Sequence, residues 1–161
     1  RAFAGCTSLT DISFEYTHDD LDIGEEAFAA CTALTTINFY GLKTIGKRAF
    51  AGCQGLTTLN FSESLKTIGG EAFSGCVNLR SVRIPENLNS IDKDAFAGCG
   101  NLELILLSGE TAELYKEGKL LINRDFSKTS VLEDKRSLSS YLEFRGKSGL
   151  VDRFSLSQSR N

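Results

Sequence analysis

Apolar side chains recur along the first two thirds of the chain in a constant order. A leucine is followed three residues later by an isoleucine, then by a phenylalanine two positions on, then by a second leucine–isoleucine pair and an Ala-Phe-x-x-Cys segment. In the second unit these are Leu34, Ile37 and Phe39, then Leu42 and Ile45, then Ala49, Phe50 and Cys53. The Ile-x-Phe step alternates apolar with polar positions, which predicts a short strand with one buried face. Glycines at 24, 46 and 69 follow the second pair and predict a backbone with positive φ or a close approach. The residues after them suit one short helical turn. Asp92 stands in the fourth unit where the others have glycine, and aspartate tolerates positive φ better than most residues.

The cysteines mark the period. They stand at 6, 31, 53, 76 and 99, with spacings of 25, 22, 23 and 23 residues, and such self-similarity is the mark of a solenoid. Each unit carries roughly eight apolar positions and too little chain to enclose them, so they are buried only if units stack, with strands laddered at about 4.8 Å. Leu59 and Val82 in the isoleucine column, and Ile84 and Leu107 in the phenylalanine column, are swaps of the kind a packed core accepts.

The consensus Cys-x-x-Leu-x-x-Ile-x-Phe/Ile-Pro-x-x-Leu-x-x-Ile-x-x-x-Ala-Phe-x-x-Cys resembles the BspA-like, or Treponema pallidum type, leucine-rich repeat. Cys76 to Cys99, with Pro85, Leu88, Ile91, Ala95 and Phe96, carries the resemblance best. Two features depart from the pattern: only Pro85 supplies the proline that often follows the strand, and the first unit has two extra residues with Leu21 displaced by one position relative to Leu42. The resemblance implies an α/β repeat solenoid, a leucine-rich-repeat arc with a parallel β-sheet on the concave face. Short helical or 3-10 turns are expected on the other side, and a non-repeat cap at the C-terminal end.

Past Leu107 the period fails. Residues 1–107 are therefore assigned to the solenoid, about four and a half repeats of 22–25 residues, and 108–161 to a C-terminal cap or inter-repeat module. Residues from about 112 to 126 read as a hairpin, with Leu114 and Tyr115, a Lys116-Glu117-Gly118-Lys119 turn and Leu120 to Ile122. Tyr115, Gly118, Leu120, Leu121 and Asp125 resemble a segment that BspA-like proteins interpose between repeat blocks. Ser130-Val131-Leu132-Glu133 matches a capping box, with Leu138, Tyr141 and Leu142 at helical spacing and Gly146 as a stop, which predicts a helix over about 131–145. That helix would cover the open end of the stack. The rest is expected to be a loose tail, with Val151, Phe154 and Leu156 able to form an edge strand.

Composition adds exclusions. The chain has 161 residues, 41% of them hydrophobic and 24% charged, and a net charge of −3. Residues 1–107 carry 8 basic and 13 acidic side chains, residues 108–161 carry 10 and 8. Neither part has the dense basic stripe that phosphate backbones select, so no nucleic-acid partner is expected. The longest apolar run, Leu104 to Leu107, is far short of the roughly 20 residues that span a bilayer, so no membrane insertion is expected in this segment. The chain opens within a repeat and has no methionine, as expected of a fragment.

Candidate chemistry is sparse. The cysteines admit disulfide, metal and nucleophile readings. They share one column, however, and number an odd five, which favours buried packing thiols. His18-Asp19-Asp20, with Asp22 and Glu25, is the densest polar cluster. Hard cations favour such carboxylates, but no calcium-loop spacing is present, and a polar turn insertion is the simpler reading. Asn60-Phe61-Ser62 is a glycosylation sequon, relevant only to a protein secreted by a eukaryote. One histidine and no convergent Ser/His/Asp or Cys/His set argue against an enzyme, and neither a cofactor nor a metal is expected.

The residues between the buried strand positions then carry the functional expectation. Asp11, Ser13, Thr36, Asn38, Tyr40, Thr58, Asn60, Arg80, Ser81 and Arg83 should point out of the sheet as a polar, tyrosine- and arginine-containing surface. The expected activity is non-catalytic recognition of a protein or glycan partner through this concave face. By resemblance the chain is part of a microbial or protist surface adhesin, at the cell surface or secreted. Two alternatives stay open: a cytoplasmic scaffold or assembly subunit using the same surface, which free thiols would suit, and a regulatory repeat segment of a larger enzyme. The oligomeric state is left open.

Overall fold

The computed structural model describes residues 1–14, 21–120, 122 and 129–133. The repeat folds as a parallel-strand β-solenoid of about five turns, low in helix. Each of the first four coils contributes two strands: β1 (Asp11–Ser13) and β2 (Leu21–Ile23), β3 (Thr36–Asn38) and β4 (Leu42–Ile45), β5 (Thr58–Asn60) and β6 (Thr67–Ile68), β7 (Ser81–Ile84) and β8 (Ser90–Ile91). The fifth supplies β9 (Leu104–Leu107) and the helix α1 (Gly109–Lys116), and β10 (Ser130–Glu133) follows.

The strands expected from the Ile-x-Phe step form one face: β1 pairs with β3, and β5, β7, β9 and β10 pair in that order, all parallel. The second apolar pair forms a second parallel sheet, β2-β4-β6-β8. Leu21 faces Leu42 and Ile23 faces Ile45, and the displacement of Leu21 shows as a register shift between Leu21 and Asp22.

The Ala-Phe-x-x-Cys segments are tight turns among the described residues, not helices. The reason is local: Glu26, Arg48 and Glu71, and the residues before the cysteines (Gly5, Ala30, Gly52, Gly75, Gly98), have positive φ, which a right-handed helix cannot accommodate. Instead the turns bond between coils. Phe28, Phe50 and Phe73 each donate an amide hydrogen to the alanine carbonyl one coil on (Ala49, Ala72 and Ala95), all at 2.8 Å.

At Gly46 and Gly69 the close-approach alternative is the one realised. Neither has positive φ, and a Cβ at either would lie 2.8 Å from backbone of the preceding coil. Positive φ therefore does not explain Asp92. Its side chain lies beside Gly70, and its Oδ1 accepts the Asp94 amide (2.9 Å).

Inside the coils, Leu, Ile, Phe, Ala and Cys columns form one continuous core. Phe3, Phe28, Phe50, Phe73 and Phe96 stack at 5.2, 5.4, 5.3 and 5.7 Å, with rings within 18° of parallel.

Two tail expectations are corrected. Where the hairpin over 112–126 was expected, Gly109–Lys116 is helical, and the Lys116-Glu117-Gly118-Lys119 turn is its C-terminal cap. Gly118 has φ 72° and donates to the Tyr115 carbonyl (3.1 Å), while Lys119 donates to Leu114 (2.9 Å), a Schellman motif. A glycine needing positive φ serves a hairpin and a helix end equally well, so the sequence signal did not separate them. The rest of that hairpin, apart from Leu120 and Ile122, lies outside the described residues.

The capping-box match at Ser130–Glu133 is a strand paired in register with Leu104–Leu107. The open edge of β9 offers unpaired backbone groups to a β-branched Val131, and this outweighs a four-residue helix-start pattern. Residues 134–145 of the expected helix, and the tail beyond, lie outside the described residues.

Candidate functional site

Strand register places the outward side chains in columns. One runs Asp11 and Thr36 in the first sheet segment, then Thr58, Ser81, Leu104 and Ser130 in the second; the other runs Ser13 and Asn38, then Asn60, Arg83, Leu106 and Leu132. Successive strand residues point to opposite faces, and the intervening Leu59, Val82, Ile105 and Val131 are buried in the core.

In the first two coils the surface is as expected. Asp11, Ser13, Thr36, Asn38 and Tyr40 are exposed, Tyr40 at 59%. They are organised locally: the Tyr40 amide donates to Asn38 Oδ1 (3.0 Å), Asn38 Nδ2 reaches Ser13 Oγ (3.5 Å), and Thr10 Oγ1 donates to Asp11 Oδ1 (3.0 Å). Thr58, Asn60 and Ser81 are half-buried, with Ser81 Oγ donating to Thr58 Oγ1 (3.4 Å). Among the described residues, Asn60 Oδ1 is buried without a hydrogen-bond partner.

The two arginines differ. Arg80 is exposed and pairs with Glu103 (3.2 Å). Arg83 is only 2% exposed, which corrects its assignment to an open surface; its Nη1 bonds Glu63 Oε1 at 3.1 Å, and Glu63 Oε2 accepts the Glu86 amide at 2.9 Å. Sequence alternation says which way a side chain points, not whether something lies over it.

Beyond Arg83 the outward column turns apolar. Leu106 and Leu132 form a second cluster, separate from the core, with Leu104 against it. The sequence did carry this signal: a four-residue apolar run without alternation describes a strand covered on both faces.

The cysteines are all free, in one column. Cys31, Cys53, Cys76 and Cys99 are buried, and each Sγ donates to the phenylalanine carbonyl of the preceding coil, Phe3, Phe28, Phe50 and Phe73, at 3.1–3.3 Å. Burial pushes the Cys53 thiol up to about 12, and raises Cys31 too. The neighbouring Cys99 thiol, together with burial, raises Cys76. Neutral thiols of this kind are poor nucleophiles and poor metal ligands. Cys6, expected to be buried with the rest, is exposed.

His18, Asp19 and Asp20 lie outside the described residues. Of their neighbours, Asp22 Oδ1 accepts the Thr44 hydroxyl, and the Glu25 carbonyl accepts the amino-terminal nitrogen (3.1 Å). Among the described residues no group of three or more His, Cys, Asp or Glu side chains could hold a metal, and no helix is long and apolar enough to cross a membrane.

Known structures share this arrangement. A leucine-rich repeat protein from Bacteroides ovatus superposes with a TM-score of 0.65 at 25% identity, over 81% of this chain and 31% of that one. The Treponema pallidum leucine-rich repeat protein gives 0.62 at 28% identity, over 92% and 75%. A leucine-rich cell surface protein from Faecalibacterium prausnitzii gives 0.52 at 26% identity, over 87% and 36%. The chain thus spans about a third of the Bacteroides and Faecalibacterium proteins. Comparison with curated proteins gives no match. The family model for the BspA type leucine rich repeat region matches six copies over residues 1–117. The chain belongs to the BspA-type leucine-rich repeat family.

Proposed function

We propose that this segment is a non-catalytic recognition module of a microbial or protist surface protein, engaging a protein partner through the outward strand face of its first coils. The observation that carries the reading is the exposed, register-matched set Asp11, Ser13, Thr36 and Asn38, with the exposed Tyr40 just past the strand and its amide held by Asn38 Oδ1. A preorganised aromatic with a polar surround is the usual composition of a binding hot spot. Leucine-rich repeat proteins are generally protein-interaction modules, and one similar structure is that of a cell surface protein. Binding would be measured against panels of extracellular-matrix and serum proteins, with a glycan array as the second arm. Asn38→Arg with Tyr40→Ala should weaken the strongest protein hit at least tenfold in a folded variant. Unchanged affinity removes this face from the reading, and hits confined to glycans remove the protein partner.

Buried free thiols favour one other reading, an intracellular scaffold using the same surface, because a reducing compartment keeps thiols unpaired. Localising the native protein by surface biotinylation separates the two. Labelling on intact cells supports the surface protein, and labelling only after lysis supports the scaffold.

A further inference from the structure

Neighbouring coils are joined by backbone bonds on the strand side, in the second sheet and at the turns. On the strand side, the carbonyl at the entry to each strand accepts an amide of the next coil: Thr10 from Thr35 (2.9 Å), Thr57 from Arg80 (2.8 Å), Arg80 from Glu103 (2.9 Å) and Glu103 from Ser130 (2.8 Å). Thr35 stands in the same column, yet among the described residues its carbonyl accepts nothing. In agreement, β3 and β5 do not pair, although β1 pairs with β3 and β5 with β7. Asn60 Oδ1, buried and without a hydrogen-bond partner among the described residues, belongs to β5 at this seam.

The other two sides are closed at the same junction. The Phe28 and Ala30 amides donate to the Ala49 and Ala51 carbonyls at the turns (2.8 and 2.7 Å), and in the second sheet the Gly69 amide donates to Ile45 (2.8 Å). The mismatch has a cause in the sequence. Coil 2 passes from its strand to the second sheet with two residues, Tyr40 and Gly41, between Phe39 and Leu42, where coils 3 and 4 use three, 62–64 and 85–87. Gly41 takes φ 75° at this shorter corner. Side chains restore only part of the link. The Ser62 and Ser64 hydroxyls donate to the Phe39 and Leu42 carbonyls (2.7 and 2.9 Å). Asn78 and Asn101 stitch the next two junctions through the Gln54 and Val77 carbonyls (2.8 and 2.7 Å), but Gly55 holds their place in coil 3 and has no side chain to reach coil 2.

We propose that this seam is a hinge: coils 1–2, which carry the exposed strand face, tilt against coils 3–5 by opening between β3 and β5, while the turns and the second sheet hold. The unbonded side yields first, so the opening requires neither block to unfold. A partner that touches both blocks sets their angle through its differing affinity for the two arrangements. The hinge goes beyond the recognition reading and does not depend on any partner being found.

Two measurements on the full chain test it. In amide hydrogen exchange followed by NMR, Thr57 should exchange at least tenfold faster than Arg80, its counterpart one coil on, while Phe28, Ala30 and Gly69 stay as protected as their counterparts Phe50, Gly52 and Asp92. Spin labels in a Cys6→Ser background then report the tilt. Thr7, Gln54 and Gly100 each follow a cysteine and are exposed, so the pairs Thr7/Gln54 and Gln54/Gly100 both lie two coils apart, and the first spans the seam. Electron paramagnetic resonance should give an interspin distance distribution at least twice as wide for Thr7/Gln54. Equal widths, equal exchange at Thr57 and Arg80, or loss of protection at Phe28 and Gly69 together with Thr57 would each overturn the proposal.

Discussion

Replacing Phe73 with alanine tests whether the coils are held together by their ring ladder. Phe73 is fully buried, stacked at 5.3 Å on Phe50 and 5.7 Å on Phe96, with Phe61 leaning on it at 5.6 Å. Truncation loses the transfer free energy of the ring and leaves a cavity. The surrounding coils cannot close on it, because backbone bonds Phe50 to Ala72 and Phe73 to Ala95, both 2.8 Å, hold their spacing. Phe→Ala changes in such sites cost about 3–5 kcal/mol, a large part of the 5–15 kcal/mol typical of a domain. Phe3 is the internal comparison: it is 52% exposed and stacks on Phe28 at one end of the ladder. Its removal should cost on the order of 1 kcal/mol, since only part of the ring leaves water on folding. Urea unfolding followed by far-ultraviolet circular dichroism measures both. Because coils are coupled to their neighbours, the central change should also broaden the transition or split it in two. Phe73→Leu, which refills part of the volume, should fall between the two alanine variants. A Phe73→Ala loss below about 1 kcal/mol, or one equal to that of Phe3→Ala, would refute the stacked-core account.

Further expectations follow from particular residues. Arg80→Glu breaks an exposed pair with Glu103 and should cost no more than about 1 kcal/mol. Arg83→Glu sets a second carboxylate beside Glu63 at a buried site and should cost about 3 kcal/mol or more in the same urea assay. Ala30 has φ 59° where the other coils have glycine, so Ala30→Gly should stabilise by roughly 0.5–1 kcal/mol, read as a rise in Tm; a fall would contradict the strain. One thiol, Cys6, should react rapidly with a thiol reagent in the native protein and five in denaturant. Cys53 stays neutral in the fold up to about 12 whereas an ordinary thiol ionises near 9, so stability should be level below pH 9 and fall as pH rises from there. Cys53→Ala should lessen that slope, with Cys31 and Cys76 supplying the remainder.

The repeat was legible because its determinants are local and recur. Ile37, Leu59, Val82 and Ile105 mark the inward strand column, and Phe28, Phe50, Phe73 and Phe96 the ring column, each appearing in the sequence at the period at which it stacks in space. The glycines at 24, 46 and 69 read as positive φ or close approach, and the neighbouring coil makes it close approach at 46 and 69 and neither at 24. The tail was not legible, because its signals are degenerate. Gly118 serves a hairpin turn or a helix end, and Ser130–Glu133 reads as a capping box until an open strand edge is beside it.

The sequence by itself determined the period, the inward columns, the free thiols' shared position and the polar character of the first coils' outer face, since each depends only on which residues recur and on strand alternation. Tertiary structure decided how much of that outer face is open. Arg83, Leu106 and Leu132 stand in the same column as Ser13 and Asn38, yet they are buried and the other two are not. Direction is a property of the strand and is written in the residue order. Exposure depends on what else the chain lays over the strand, and that requires residues distant in sequence to meet.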